Sequence, residues 1–149
     1  MINKQKKKIV IIGAGFAGIT TAARLAQSGL FDITLVSPQA HFEYYPGLYR
    51  IMSNHIPFEV FVPLRYLIPS SVVWIQDRAI SIDVTSQSIM TATHGACTYD
   101  ELIIAVGSQP NDFGIPGVSQ YAHFVSSLAH MLEAKRDIAL ALQQHRDAQ

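Results

Sequence analysis

A β-branched apolar run, Lys8–Ile12, breaks into Gly13-Ala14-Gly15-Phe16-Ala17-Gly18. No other stretch limits the possible folds so sharply. A short run of this kind stopped by glycine predicts a buried strand. Phe16–Ser28 then places Ile19, Ala22, Ala23 and Ala26 on one face and ends at Gly29, which predicts a helix. Asp32–Val36 is a second apolar strand. Strand, glycine turn, helix and strand within about 30 residues form a βαβ unit, with a right-handed crossover expected. Each glycine of the GxGxxG has its own steric task. Gly13 lets the chain turn out of the strand, Gly15 lets the backbone approach a pyrophosphate, and Gly18 lets the helix pack on the sheet. The helix N-terminus adds N–H donors and positive dipole charge for the phosphates.

The same opening imitates a secretory leader, because Lys4, Lys6, Lys7 and Lys8 precede an apolar run from Ile9 to Ala23. Three glycines inside that run suit a turn better than a leader helix, so the folded reading is preferred. No other stretch reaches the 18 or more apolar residues of a membrane span. With 49% apolar and 15% charged residues, the chain is too apolar for intrinsic disorder. Eleven basic and eleven acidic residues cancel, so no global field favours nucleic acid. A single cysteine, Cys97, excludes an internal disulfide or a CxxC redox pair.

Further along, Ser37–Pro46 reads as a loop, Leu48–Ser53 and Pro63–Ile68 as helical turns. Val72–Asp77, Ile80–Val84, Ile89–Thr93 and Cys97–Tyr99 read as strands of a small antiparallel meander. Within it, alternation predicts Ile80, Ile82 and Val84 inward. Leu102–Val106 is an apolar strand, and Asn111–Gly117 a loop. Ser126 or Ser127 is placed to cap a helix to about Gln144, with Leu128, Met131, Leu132, Ile138 and Leu142 on its buried side.

A dinucleotide motif of this type normally has an acid about 20 residues on, for the ribose hydroxyls. Here the second strand ends in Val36-Ser37-Pro38, so Ser37 offers a neutral hydroxyl instead. No Arg stands beside it for a 2′-phosphate, which argues against NADP. A plain NAD domain would continue with further βα units. This chain inserts a loop and a meander before Tyr99-Asp100-Glu101-Leu102-Ile103-Ile104-Ala105-Val106-Gly107-Ser108. That layout resembles the flavoproteins with two dinucleotide-binding domains, the first of which holds FAD. Gly107 then has the steric rationale of Gly15. Within that superfamily, the chain resembles type II NADH:quinone oxidoreductases from Ile9 to about Leu142. The residues are Ser37-Pro38, Phe42, Pro46, Ala105-Val106-Gly107 and Pro110-Asn111-x-Phe113-Gly114-Ile115-Pro116-Gly117-Val118. Sulfide:quinone oxidoreductases share the layout. Disulfide reductases of the superfamily carry a Cys pair after the second strand, and this chain has none there.

The resemblance implies an α/β, Rossmann-like FAD-binding domain with an antiparallel meander. Residues 1–149 would be its N-terminal part, incomplete at the C-terminal side. It implies that Gly13, Ala14, Gly15, Phe16 and Ala17 line the pyrophosphate, with Gly18 completing the turn. Ser37 and Pro38 fall at the adenosine ribose, Ala79 at the adenine, and Ala105 and Gly107 back at the nucleotide. Tyr45-Pro46 falls near the isoalloxazine, where the family commonly has Thr-Pro. The implied activity passes electrons from NADH through FAD to a quinone, with NADH and quinone as partners of the parent enzyme. The parent is expected in the cytoplasm or peripherally on the inner face of the cell membrane, and a homodimer stays open. Nucleic acid is not an expected partner. The family's NADH domain, its Gly-Asp segment for the ribityl chain and its membrane-surface helices are not in these residues, so the chain alone is expected to be inactive. Alternatives are a sulfide:quinone oxidoreductase-like fragment and a non-catalytic nucleotide-binding module.

Other candidates read plainly. The six histidines show no HxxxH or HExxH spacing, and Asp100 and Glu101 point to opposite faces of an extended segment. No catalytic residue and no metal ligand is expected. Lys4–Lys8 reads as a solvated basic tail, Trp74 as packing, and Cys97 as an idle thiol.

Overall fold

In a computed structural model, which describes residues 5–53 and 60–147, the opening apolar run is β1 (Lys7–Ile12). It pairs in parallel with β2 (Phe31–Val36) on one side and β9 (Glu101–Ile104) on the other. Alternate residues of β1 face opposite sides of the sheet. Ile9 and Ile11 join Ala14, Ala22, Ile33, Leu35, Leu64 and Val72 in one core, against α1 (Phe16–Ser28). Val10 and Ile12 join Val36, Ile89 and Tyr99 in a second core. Where both faces are covered, over Ile9–Ile12, every position must be apolar, which is why this part of β1 shows no alternation.

The chain divides into two units, one of Met1–Phe42 and Pro63–Gly107, the other of Glu43–Val62 and Ser108–Gln149. The first unit is α/β. Its parallel sheet has the order β5-β2-β1-β9, with β5 spanning Val72–Ile75. An antiparallel meander of β6 (Ala79–Asp83), β7 (Ser88–Thr91) and β8 (Ala96–Thr98) supplies Ile89 to the second core. Val72–Ile75 therefore belongs to the parallel sheet, pairing Ile33 with Val72, and not to the meander. Ile80, Ile82 and Val84 are exposed, contrary to the inward reading. β6 is an outer strand, and the central strand β7 provides the fully buried Ile89.

The second unit packs Leu48, Ile51 and Val60 against Met131, with Leu128 beside them. Its long helix, α4 (Leu128–Asp147), lies against the single turn of α2 (Tyr49–Met52). So short a partner covers only the first turns of α4. Met131 and Ala134 are buried, while Leu132, Ile138 and Leu142 are exposed against expectation. Ser127 Oγ accepts the His130 N–H at 3.2 Å, the expected N-cap. Glu43 Oε2 accepts the Leu128 N–H at 3.0 Å, a second cap from a distant residue. In the Asn111–Gly117 loop, Asn111 Oδ1 accepts the Phe113 N–H, Asp112 Oδ1 the Gly114 N–H and Asp112 O the Ile115 N–H. The loop is followed by a short helix, α3 (Val118–Tyr121).

The stretch expected to be a loop at Ser37–Pro46 contains β3 (His41–Glu43), paired with β4 (Phe61–Pro63). The boundary between the units falls inside both of these strands. Among the described residues, no helix is long and apolar enough to cross a membrane.

Candidate functional site

The glycine turn sits where three parallel strands end. Gly13 N–H donates to Val36 O at 2.8 Å, and Ala105 N–H donates to Ile12 O at 2.7 Å. These bonds place the turn at the carboxyl ends of β2, β1 and β9, the end at which open parallel sheets bind ligands. A cleft lined by Lys6, Lys7, Lys8, Thr98, Tyr99 and Asp100 opens at the opposite end of β1 and is not the candidate site.

What a Cβ would meet separates the three glycines. Gly13 has φ +102°, and a side chain there would run into the Ala105 carbonyl oxygen. A Cβ on Gly18 would run into the Gly13 carbonyl oxygen. Both positions are explained by the chain's own packing. Gly15 is not: it is extended, with φ −81°, and a Cβ there would meet nothing within 4 Å. The fold does not need glycine at that position. A glycine at this position of the motif is the one that lets a pyrophosphate approach the backbone.

Immediately beyond, α1 begins with Gly15 at its N-cap, without a side-chain cap and without an acid in its first turn. Its first internal bond runs from the Ile19 N–H to Gly15 O at 3.0 Å. The amides ahead of Ile19 form the positive end of the helix. Ala14 is buried in the core, so it offers only its backbone, whereas Phe16 and Ala17 are exposed beside the turn. The Phe16 ring meets Phe42 edge-on at 4.7 Å.

The remaining residues divide between the units. Ser37 is 2% exposed, and its Oγ donates to Gln39 Oε1 at 3.3 Å. Its N–H donates to Ile75 O at 3.1 Å. Pro38 and Gln39 are exposed. Gln39 was not singled out from the sequence, because a neutral amide two residues beyond the strand carries no motif signal. Ala105 lies against Gly13, and Gly107 has φ +74° with open space around it. Ala79 opens β6 opposite Thr91. Tyr45 and Pro46 stand in the second unit, in a 3-10 turn over Tyr45–Gly47 with Tyr45 exposed.

Asp77 was also missed, since a lone aspartate in a sequence says nothing about its partners. It is 7% exposed. Its Oδ1 accepts the Arg78 N–H at 2.7 Å. Its Oδ2 accepts the Thr93 N–H at 2.7 Å, the Thr93 hydroxyl at 2.9 Å and the His94 N–H at 2.9 Å. The Thr93 amide, followed by those of His94 and Arg78 and by the Thr93 hydroxyl, holds the carboxyl well below the usual carboxylate range, against the opposing effect of desolvation.

Comparison with known proteins agrees with this fold. External alternative NAD(P)H-ubiquinone oxidoreductase B4, mitochondrial, of Arabidopsis thaliana is 27% identical over 146 residues, covering 90% of this chain and 25% of that protein. The structure of NDH2 from Plasmodium falciparum in complex with NADH matches with a TM-score of 0.77 at 26% identity, over 88% of this chain and 28% of that one. The sulfide:quinone oxidoreductase structure from Aquifex aeolicus matches with a TM-score of 0.81 at 26% identity, over 92% and 32%. The chain thus spans about a quarter to a third of the length of these relatives. The sequence profile of the pyridine nucleotide-disulphide oxidoreductases matches residues 7–143. With a parallel sheet, a GxGxxG turn at the ends of its strands and a family match over nearly its whole length, the chain belongs to the pyridine nucleotide-disulphide oxidoreductase family.

Proposed function

We propose that this chain is the FAD-binding portion of an oxidoreductase that passes electrons from NADH through FAD to a quinone. The carrying observation is Gly15, whose missing side chain clears space beside the uncapped start of α1. The names of the Arabidopsis and Plasmodium relatives support NADH as donor, and the Arabidopsis name supports a quinone as acceptor. When bound, the flavin supplies the electron exchange, and the protein supplies binding and orientation. In this reading the backbone from Gly13 to Gly18 holds the pyrophosphate at the positive end of α1. Ser37, Pro38 and Gln39 flank the adenosine ribose, Ala79 lies at the adenine, and Ala105 and Gly107 bring a second stretch of backbone to the nucleotide. A quinone acceptor resides in lipid, so the parent enzyme acts at a membrane surface.

The test is direct. The purified chain, or the chain dialysed against FAD and freed of excess, is boiled and centrifuged, and the supernatant is separated by HPLC. FAD is expected. NAD(P) without flavin, or no nucleotide after dialysis, overturns the proposal. The Aquifex structure supports a second reading, in which the same module serves a sulfide donor. Reduction of the parent enzyme's flavin by sulfide and not by NADH would select it.

A further inference from the structure

The Asp77 network does more than close a turn. Ala92 N–H donates to Arg78 O at 2.9 Å. In an antiparallel ladder that bond makes Ala79 and Thr91 a non-hydrogen-bonded pair, so the N–H and C=O of Ala79 face away from β7. β6 is an outer strand of its sheet. Ala79 therefore presents one donor and one acceptor, side by side, on a strand edge that is open among the described residues. Two residues earlier, the Asp77 and Ser37 amides both donate to Ile75 O, at 3.0 and 3.1 Å, which fixes where the chain leaves β5 at the carboxyl end of the sheet. Thr91 closes the other side of the turn, its N–H and hydroxyl both donating to Gly95 O at 3.0 Å. The conformation of the Arg78–Ala79 segment is thus held by one buried carboxylate.

We propose that Asp77 is the positioning residue of the base subsite: by accepting the Arg78, Thr93 and His94 amides, it fixes the Ala79 edge so that this edge reads adenine. The proposal rests on the dinucleotide reading above. A strand edge with one N–H and one C=O complements adenine, which offers an acceptor at N1 and a donor at its exocyclic amine. Hypoxanthine offers the reverse, a donor at N1 and an acceptor at O6, and so mismatches both groups. Asp77 touches no ligand in this arrangement. Replacing one of its oxygens with an amide nitrogen sets a donor against backbone donors and releases the edge.

The experiment measures the affinities of ADP and IDP for the 149-residue chain, wild type and Asp77→Asn, by calorimetry, with far-UV CD and thermal melts alongside. Wild type is expected to prefer ADP by about tenfold or more, and Asp77→Asn to lose most of that preference while staying folded. A purely structural role would lower the melting temperature and weaken ADP and IDP equally; that outcome, or an unchanged preference, overturns the proposal. If Asp77→Asn does not fold, Thr93→Val decides, because it removes only the hydroxyl bond to Asp77. A reduced preference there supports the proposal, and an unchanged one overturns it. If wild-type protein binds neither ADP nor FAD, the dinucleotide reading itself falls, and this inference falls with it.

Discussion

Two glycines three residues apart illustrate opposite reasons for lacking a side chain. At Gly18 a Cβ is blocked by the chain's own backbone, and at Gly15 by nothing among the described residues. Gly15→Val is therefore expected to abolish FAD binding with an unchanged far-UV CD spectrum. Gly18→Val is expected to destabilise the fold by about 1–3 kcal/mol or more, as overpacking does. Denaturant melts and flavin retention on both variants check the pair. Asp77 carries a prediction of its own. Its carboxyl is held below the ordinary value of 3.8, first by the Thr93 amide, and Asp83 and Asp112 shift in the same direction through the Ser86 and Gly114 amides. As pH falls past that ordinary value, the unfolded chain takes up protons before the folded one. The stabilisation is fully present above about pH 5 and is lost progressively below about pH 4. Urea midpoints measured down that range are expected to fall, with a shallower fall in Asp77→Asn. At this scale the sequence reveals glycines well, because their task is steric and local. It conceals Asp77 and Gln39, whose partners are brought to them only by folding.

Among the elements, α1 is predicted and found over Phe16–Ser28, because Gly15 and Gly29 mark both its ends. The failures share one cause. Alternation at Ile80, Ile82 and Val84 announces a strand but not which face its neighbours cover. The apolar residues of α4 announce a helix, yet only its first turns find a partner in α2. Val72–Ile75 looks like any short apolar strand, and its parallel pairing with β2 is decided some forty residues away in sequence, not by local composition. The ribbon of β3 and β4 escaped notice because three-residue strands are too short for a periodicity to show. For α4 the capping geometry supplies a test. Ser127→Ala removes the hydroxyl that accepts the His130 amide and is expected to cost about 1 kcal/mol, read from hydrogen exchange of the first turn of the helix. Glu43→Ala, which removes the second cap on the Leu128 amide, is expected to add to that loss in the double variant.

For the whole molecule, the 149-residue chain assayed by itself is expected to oxidise NADH with a soluble quinone no faster than equimolar free FAD. In the proposed reading its residues supply pyrophosphate, ribose and base contacts, while hydride transfer also needs the nicotinamide held at near-attack distance, worth roughly 7–11 kcal/mol of barrier. The check is the loss of NADH absorbance against an FAD control. A rate well above that control, abolished by Gly15→Val, would show that the chain or an assembly of it completes the site. The α/β class and the glycine turn at the ends of the strands were legible from the first forty residues, because one βαβ unit carries both. The proposed base end rests on family resemblance, since Ala79 has no chemical signature outside its strand edge.

The interlock of Gly13 with Ala105 and of Gly18 with Gly13 has a kinetic side. The turn is clamped between the ends of β1 and β9 by the fold itself, so its conformational freedom is surrendered when the protein folds and not when a ligand arrives. In the proposed reading, a phosphate meets a rigid seat. Association at this end of the site then requires no loop closure and is governed by diffusion and orientation, so that the lifetime of the complex, and not the speed of its formation, carries the differences between variants.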